Sequence, residues 1–189
     1  MTKKIIAIIG ATGDIGSAIA RSLAKGNYRL LLFAEDKKLL NSLAEEIKTT
    51  TPSADIDCMG CAADASWEAD IIIPAVPACS QKEIAEKIKP YANRKTVISI
   101  PDSLNETKNN LIISKTTDAA EELQKLLPGS KVVRASNISF VADFFQLAGE
   151  DRQNDAFIDG DEEDVLQTIS EILKAAELHP AQLINHKTK

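Results

Sequence analysis

Ile5-Ile6-Ala7-Ile8-Ile9 runs without a break into Gly10-Ala11-Thr12-Gly13-Asp14-Ile15-Gly16, and an amphipathic helical pattern starts directly behind it. An apolar run of strand length, a glycine turn and a helix start in that order leave a chain few ways to fold. Each glycine has a physical task. Gly10 permits the tight turn out of the strand, Gly13 lets the backbone approach a ligand with no side chain between, and Gly16 lets the helix pack closely on the sheet. The free amides and partial positive charge at the mouth of the helix then form a cradle for phosphate. With the strand before, the helix after and the motif first in the chain, the turn reads as a pyrophosphate site for a dinucleotide. Its spacing is G-x-x-G-x-x-G rather than the commoner G-x-G-x-x-G.

The rest of the chain alternates between two periods. Short apolar runs lie at Arg29–Ala34, Asp55–Met59, Asp70–Val76, Thr96–Ile100 and Lys131–Ala135, with fainter ones at Ala156–Asp159 and Ala181–Ile184. The strongest are continuously apolar, as strands covered on both faces are. Helical stretches separate them. Ile15, Ala18, Ile19 and Leu23 share a face that ends near Gly26. A helix from about Asp36 to Thr49 is expected to bury Leu39, Leu40, Leu43 and Ile47, and one from Ser80 to Tyr91 to bury Ile84 and Ile88. Further helices are expected between Thr117 and Pro128 and from Glu162 to Ala176. Strand and helix in strict alternation with short connections predict an α/β fold with a doubly wound, mainly parallel sheet: a three-layer αβα Rossmann fold in one domain, residues 1–189. The polar stretch Pro101–Thr116 reads as a solvated connection or a lid over the crevice.

Composition narrows the partners. Hydrophobic content of 44% and charged content of 26% are those of an ordinary soluble globular protein, and no apolar run reaches membrane-spanning length. The net charge is −6 with no basic block, so neither nucleic acid nor a membrane surface is expected as a partner, and the expected location is the cytoplasm. The three cysteines read as buried structural thiols, Cys58-Met59-Gly60-Cys61 included, since no second pair or histidine cluster completes a zinc site. Tyr91-Ala92-Asn93-Arg94-Lys95 matches the Tyr-x-x-x-Lys of short-chain dehydrogenases only by coincidence, because it sits in a loop. His179 and His186 are far from any acid or nucleophile, so no catalytic or metal constellation is assembled. The second strand ends in Ala34-Glu35-Asp36-Lys37-Lys38. A carboxylate here accepts hydrogen bonds from the adenosine ribose hydroxyls and repels a 2′-phosphate, which tilts the expectation from NADP toward NAD. Lys37 and Lys38 temper it, as either can reach a phosphate, and both acids can equally serve as helix caps.

Five stretches in order carry a family resemblance: Ile8 to Gly16; Glu68-Ala69-Asp70-Ile71-Ile72-Ile73-Pro74-Ala75-Val76-Pro77; Ile84 to Ile100; Lys131-Val132-Val133-Arg134-Ala135-Ser136-Asn137; and Phe157-Ile158-Asp159-Gly160-Asp161. Together they resemble the NADP oxidoreductases dependent on coenzyme F-420, a deazaflavin, over about Lys3 to Leu183. The resemblance implies direct hydride transfer between nicotinamide and deazaflavin, which needs orientation and no protein nucleophile. It also implies that Gly10, Ala11, Thr12, Gly13, Asp14, Ile15 and Gly16 take the pyrophosphate, and that Ala34, Glu35 and Asp36 surround the adenosine ribose. Ala75, Val76 and Pro77 would line the path to the nicotinamide. Ala135, Ser136 and Asn137 would stand at its carboxamide end, where a small-molecule hydride acceptor docks. Members that use NADP carry a serine and arginines where this chain has Ala34, Glu35 and Asp36. Members also continue past the position of Lys189 with helices that shape the acceptor site and a homodimer, helices expected to be missing here. Two readings stay open: an oxidoreductase of this family, with the deazaflavin or another acceptor, and a non-catalytic NAD(P)-binding or sensor protein resembling the atypical short-chain reductases.

Overall fold

The computed structural model describes residues 3–100, 116–136, 155–159 and 179–184. The elements run β1 (Lys4–Ile9), α1 (Asp14–Leu23), β2 (Tyr28–Phe33), α2 (Lys37–Thr50), β3 (Asp55–Cys58), α3 (Ala62–Glu68), β4 (Ile71–Pro74), α4 (Ala78–Ile88), β5 (Thr96–Ser99), α5 (Thr116–Leu126), β6 (Lys131–Ser136), β7 (Asp155–Asp159) and β8 (His179–Ile184). They form one sheet in the order β3-β2-β1-β4-β5-β6-β7-β8. The first six strands are mutually parallel, β7 is antiparallel to β6, and β8 is parallel to β7.

The continuous apolar runs have the cause their composition suggests. Ile6 and Ile8 of β1, Leu30 and Leu32 of β2, and Ile71 and Ile73 of β4 pack on one face of the sheet against Ile19, Ala20 and Leu23 of α1 and Leu40, Leu43 and Ile47 of α2. The intervening Ala7, Ile9, Leu31 and Ile72 pack on the other face against Ala62 and Ala65 of α3, Ile84 and Ile88 of α4, and Leu123 of α5. Both faces are therefore dry, and alternation disappears from the sequence. The edge strand β3 is covered only in part: Ile56 is buried, while Asp57 and Cys58 are exposed. An edge carrying acids and only four residues long discourages pairing with another chain.

Three expectations change. Leu39 is 58% exposed, because the buried stripe of α2 starts one residue later, at Leu40. On α1 the buried stripe is Gly16, Ser17, Ile19, Ala20 and Leu23, with Ile15 and Ala18 only half-buried at its margin. Helix α3 was not anticipated; its seven residues, Ala-Ala-Asp-Ala-Ser-Trp-Glu, are too few to show a 3.6-residue period, and Trp67 faces solvent at 68% exposure. The expected lid or loop over 101–115 and the helix over 162–176 lie outside the described residues. Among the described residues no helix is long and apolar enough to cross a membrane.

From β1 the chain proceeds outward to β2 and β3; from β4 it proceeds the other way to β5 and β6. Helices α1 and α4 leave the adjacent ends of β1 and β4 on opposite faces. The connections part there and open a crevice at the carboxyl edge of the sheet, where ligands of such sheets bind.

Candidate cofactor site

The glycine turn is pinned to both neighbours of β1. The amides of Gly10 and Ala11 donate to the Phe33 carbonyl at the end of β2, at 2.8 and 2.9 Å, and the Ala75 amide after β4 donates to the Ile9 carbonyl at 2.8 Å. The amide of Gly13 closes the turn on the Gly10 carbonyl at 3.1 Å. Gly10 sits at φ +87°, and a Cβ there would lie 2.4 Å from the Ala75 carbonyl oxygen and 2.8 Å from Val76 Cγ1. At Gly16 a Cβ would lie 2.2 Å from the Gly10 carbonyl oxygen, so the helix packs against the turn itself. These two glycines are required by the protein's own backbone.

Gly13 is different. Its φ and ψ, −70° and 166°, suit any residue, and a Cβ would come no closer than 3.4 Å to another protein atom. Nothing in the polypeptide demands glycine at this exposed position. What a side chain would fill is the space in front of α1, and that is the room a closely approaching ligand needs.

The helix end behind that space is open. Gly13 is the N-cap of α1 and no side chain caps the helix, so the amides of the first turn have no carbonyl within the helix to pair with. In contrast, Asp36 caps α2 by accepting from the amides of Lys38 and Leu39 at 2.9 and 3.0 Å, and the Cys61 thiol caps α3 by accepting from the Asp64 amide at 3.4 Å. Helix α4, behind Pro77, also lacks a side-chain cap. Of the helices whose N-caps are described, the uncapped ones are α1 and α4, which flank the crevice. Donor amides, a helix dipole and a hollow without a Cβ are the chemistry that holds a diphosphate.

The expected residues around it are only partly available as side chains. The segments 10–16, 34–36 and 75–77 meet at the carboxyl ends of the adjacent strands β1, β2 and β4. Ala11 is fully buried and Ala34 is 3% exposed, so both belong to the core and offer backbone alone. Thr12 is half-buried, Asp14 is exposed in the first turn of α1, and Ile15 packs at the edge of the core. Ala75 and Val76 are half-buried against Gly10, and Pro77 is exposed. The two acids separate: Asp36 is occupied as a cap, whereas Glu35 is exposed and caps nothing. Ala135 and Ser136 lie at the carboxyl end of β6, on the same edge of the sheet, and Asn137 lies outside the described residues. The Phe33 carbonyl, which takes two amides of the turn, is an anchor that a sequence does not mark, because a backbone acceptor is the same in every residue. Lys37, expected to be able to reach a phosphate, instead donates its ammonium to the carbonyls of Met59 and Gly60 at 2.8 and 3.0 Å.

The cysteines are not buried structural thiols: Cys58, Cys61 and Cys79 are all free and exposed. Cys58 Sγ points to the Leu40 carbonyl on α2, 3.9 Å away, while Cys61 caps α3 on the opposite face of the sheet, so this C-x-x-C is divided between two faces. Partial burial pushes the Cys58 thiol pKa up. Lys95 donates to the carbonyls of Ser66 (2.6 Å) and Trp67 at the end of α3, and the cost of its burial lowers its pKa. Its ammonium is thus committed to holding a helix. Among the described residues no group of three His, Cys, Asp or Glu side chains could hold a metal.

Comparison with known proteins agrees with this geometry. Residues 5–103 match the family model described as NADP oxidoreductase, coenzyme F420-dependent. The F420-dependent NADP reductase of Methanocaldococcus jannaschii is 29% identical over 137 residues, which cover 69% of this chain and 61% of that protein. This chain spans less than two thirds of the length of the curated relatives it matches. Two crystal structures share the fold at low identity. An Arthrobacter protein regarded as an F420-dependent NADP reductase superposes with a TM-score of 0.68 at 20% identity, covering 98% of this chain and 85% of that one. Pyrroline carboxylate reductase of Plasmodium falciparum, with NADP bound, superposes with a TM-score of 0.62 at 19% identity, covering 98% and 59%. With the match running from β1 through β5, over the glycine turn and both flanks of the crevice, this chain belongs to the family of coenzyme F420-dependent NADP oxidoreductases.

Proposed function

We propose that this chain binds a nicotinamide dinucleotide across the β1/β4 crevice and serves hydride transfer between it and a small acceptor, a deazaflavin in the first instance. The observation that carries the reading is Gly13: an ordinary backbone conformation and no protein neighbour that forbids a Cβ, at the mouth of an uncapped helix. The first-turn amides of α1, with the amide of Thr12, would hold the diphosphate. Glu35 would accept hydrogen bonds from the adenosine ribose, and Ala75, Val76 and Pro77 would shape the wall beside the nicotinamide, with Ala135 and Asn137 toward the acceptor.

The bound dinucleotide supplies the hydride chemistry. The chain's task is to hold two planar reactants in register and exclude water, chemistry that asks for no acid–base pair. An exposed Glu35, together with a Lys37 whose ammonium is already bound, supports NAD over NADP. Residues 1–189 are taken as one nucleotide-binding unit, and three free, exposed thiols fit a reducing compartment such as the cytoplasm.

The test is calorimetric titration with NADH and NADPH, followed by absorbance assays of each against oxidised deazaflavin, flavin and small carbonyl or imine acceptors. Binding of NADH with oxidation by one of these acceptors is the expected result. Binding without any turnover would instead mark a dinucleotide-binding sensor, and binding of neither dinucleotide would remove the proposal altogether.

A further inference from the structure

Lys37 stands where a lysine is electrostatically misplaced. It is the first residue of α2, followed by Lys38, in a first turn that contains no acid, at the positive end of the helix dipole. Its side chain nevertheless has a defined position. Nζ donates to the carbonyls of Met59 and Gly60 and lies 4.5 Å from the centroid of the Phe33 ring. Both carbonyls are charge-assisted acceptors, and the ring face adds a cation–π contact. Phe33 in turn receives the amides of Gly10 and Ala11 through its own carbonyl. One ammonium therefore joins three segments at the carboxyl edge of the sheet: the β2–α2 loop, the β3–α3 turn and, through Phe33, the glycine turn.

Glu35 lies between two fixed points of this arrangement, two residues after Phe33 and two before Lys37, next to the cap formed by Asp36. We propose that Lys37 is a positioning and specificity-determining residue: by clamping the β3–α3 turn it holds Glu35 toward the vicinal hydroxyls of an adenosine ribose and keeps its own charge away from a 2′-phosphate. The clamp thus favours NADH over NADPH. This inference rests on the reading of the crevice as a dinucleotide site. A lysine next to an acid at the end of a second strand would otherwise serve as well for phosphate; here two main-chain carbonyls have already taken it.

The test compares the full-length wild type with Lys37→Met and Lys37→Arg, titrated calorimetrically with NADH and with NADPH, each variant first shown to melt cooperatively. Lys37→Met should weaken NADH binding about tenfold, the effect of ordering one released loop on binding, while NADPH affinity changes less than about twofold. Lys37→Arg keeps donors and a ring-stacking cation and should bind NADH within about threefold of wild type. Should Lys37→Met fail to fold, Lys37→Gln, which retains one donor without charge, takes its place. Equal losses for both dinucleotides would reduce Lys37 to a structural tie and overturn the proposal, as would an unchanged NADH affinity or a wild type that prefers NADPH. A wild type that binds neither dinucleotide refutes the underlying site reading instead, so the two failures are told apart.

Discussion

Alanine placed in turn at the three glycines of the opening loop should produce two different kinds of damage. At Gly13 the backbone is already in a region open to alanine, and the new Cβ would sit 3.4 Å from the Gly10 carbonyl oxygen and 4.0 Å from that of Ala75, ordinary contact distances. Alanine is a poorer N-cap than glycine by about 0.5–1 kcal/mol, and it restricts the unfolded chain by a comparable amount, so stability should change by less than about 0.5 kcal/mol. For a chain of this size that is a shift in Tm of about 1–2 °C. The ligand fares worse. A diphosphate pushed back by one methyl group loses a hydrogen bond from an amide to a charged acceptor, worth about 1.5–3 kcal/mol, so affinity should fall by about 10-fold to 150-fold. Gly10→Ala combines strain at φ +87° with a Cβ 2.4 Å from a backbone oxygen and should cost about 3 kcal/mol or more, lowering Tm by about 6–12 °C. Gly16→Ala places a Cβ 2.2 Å from the Gly10 oxygen and should cost about 1–3 kcal/mol as α1 is forced off the turn. Calorimetric titration with NADH and thermal melts by circular dichroism measure both quantities on each variant. A Gly13→Ala protein that binds NADH like wild type would refute the reasoning. So would one that melts as early as Gly10→Ala, because the hollow would then be a requirement of folding.

The two acids after β2 should separate in the same pair of assays: Asp36→Ala loses a helix cap and about 1 kcal/mol of stability with little change in NADH affinity, whereas Glu35→Gln weakens NADH and leaves Tm in place; the reverse pattern would reassign the ribose contact. The bidentate Arg21–Glu46 pair, at 2.8 and 3.0 Å, holds the Glu46 carboxyl below its usual pKa. A depressed carboxyl stabilises the fold above its unfolded pKa and loses that contribution as pH falls through the folded value, so Glu46→Gln should cost about 0.5 kcal/mol at pH 7, discounted for exposure, and progressively less as the medium is acidified below the usual carboxylate range; denaturant melts over a descending pH series check this. All three cysteines should alkylate with iodoacetamide in the folded protein, Cys58 more slowly than Cys61 because burial raises its pKa, as peptide mapping over time would show.

Much of this protein is written in local pattern. Ile5 to Ile9 followed by Gly10, Gly13 and Gly16 determined a strand, a turn and a helix start, because strand burial on two faces and the absence of Cβ atoms are properties of the residues themselves. The parallel sheet followed from the alternation of such runs with helices. The roles within the site were legible only in part. Sequence shows two adjacent carboxylates and two adjacent lysines; the tertiary structure decided that Asp36 turns back on its own helix, that Glu35 remains exposed and that Lys37 reaches the end of β3. It likewise sent Cys58 and Cys61 to opposite faces of the sheet, although four letters of sequence make them look like a pair. The physical reason lies in the main chain. Its amides and carbonyls are the same in every residue, so which of them Asp36, Lys37, Cys58 or Cys61 meets is decided only when the chain has folded.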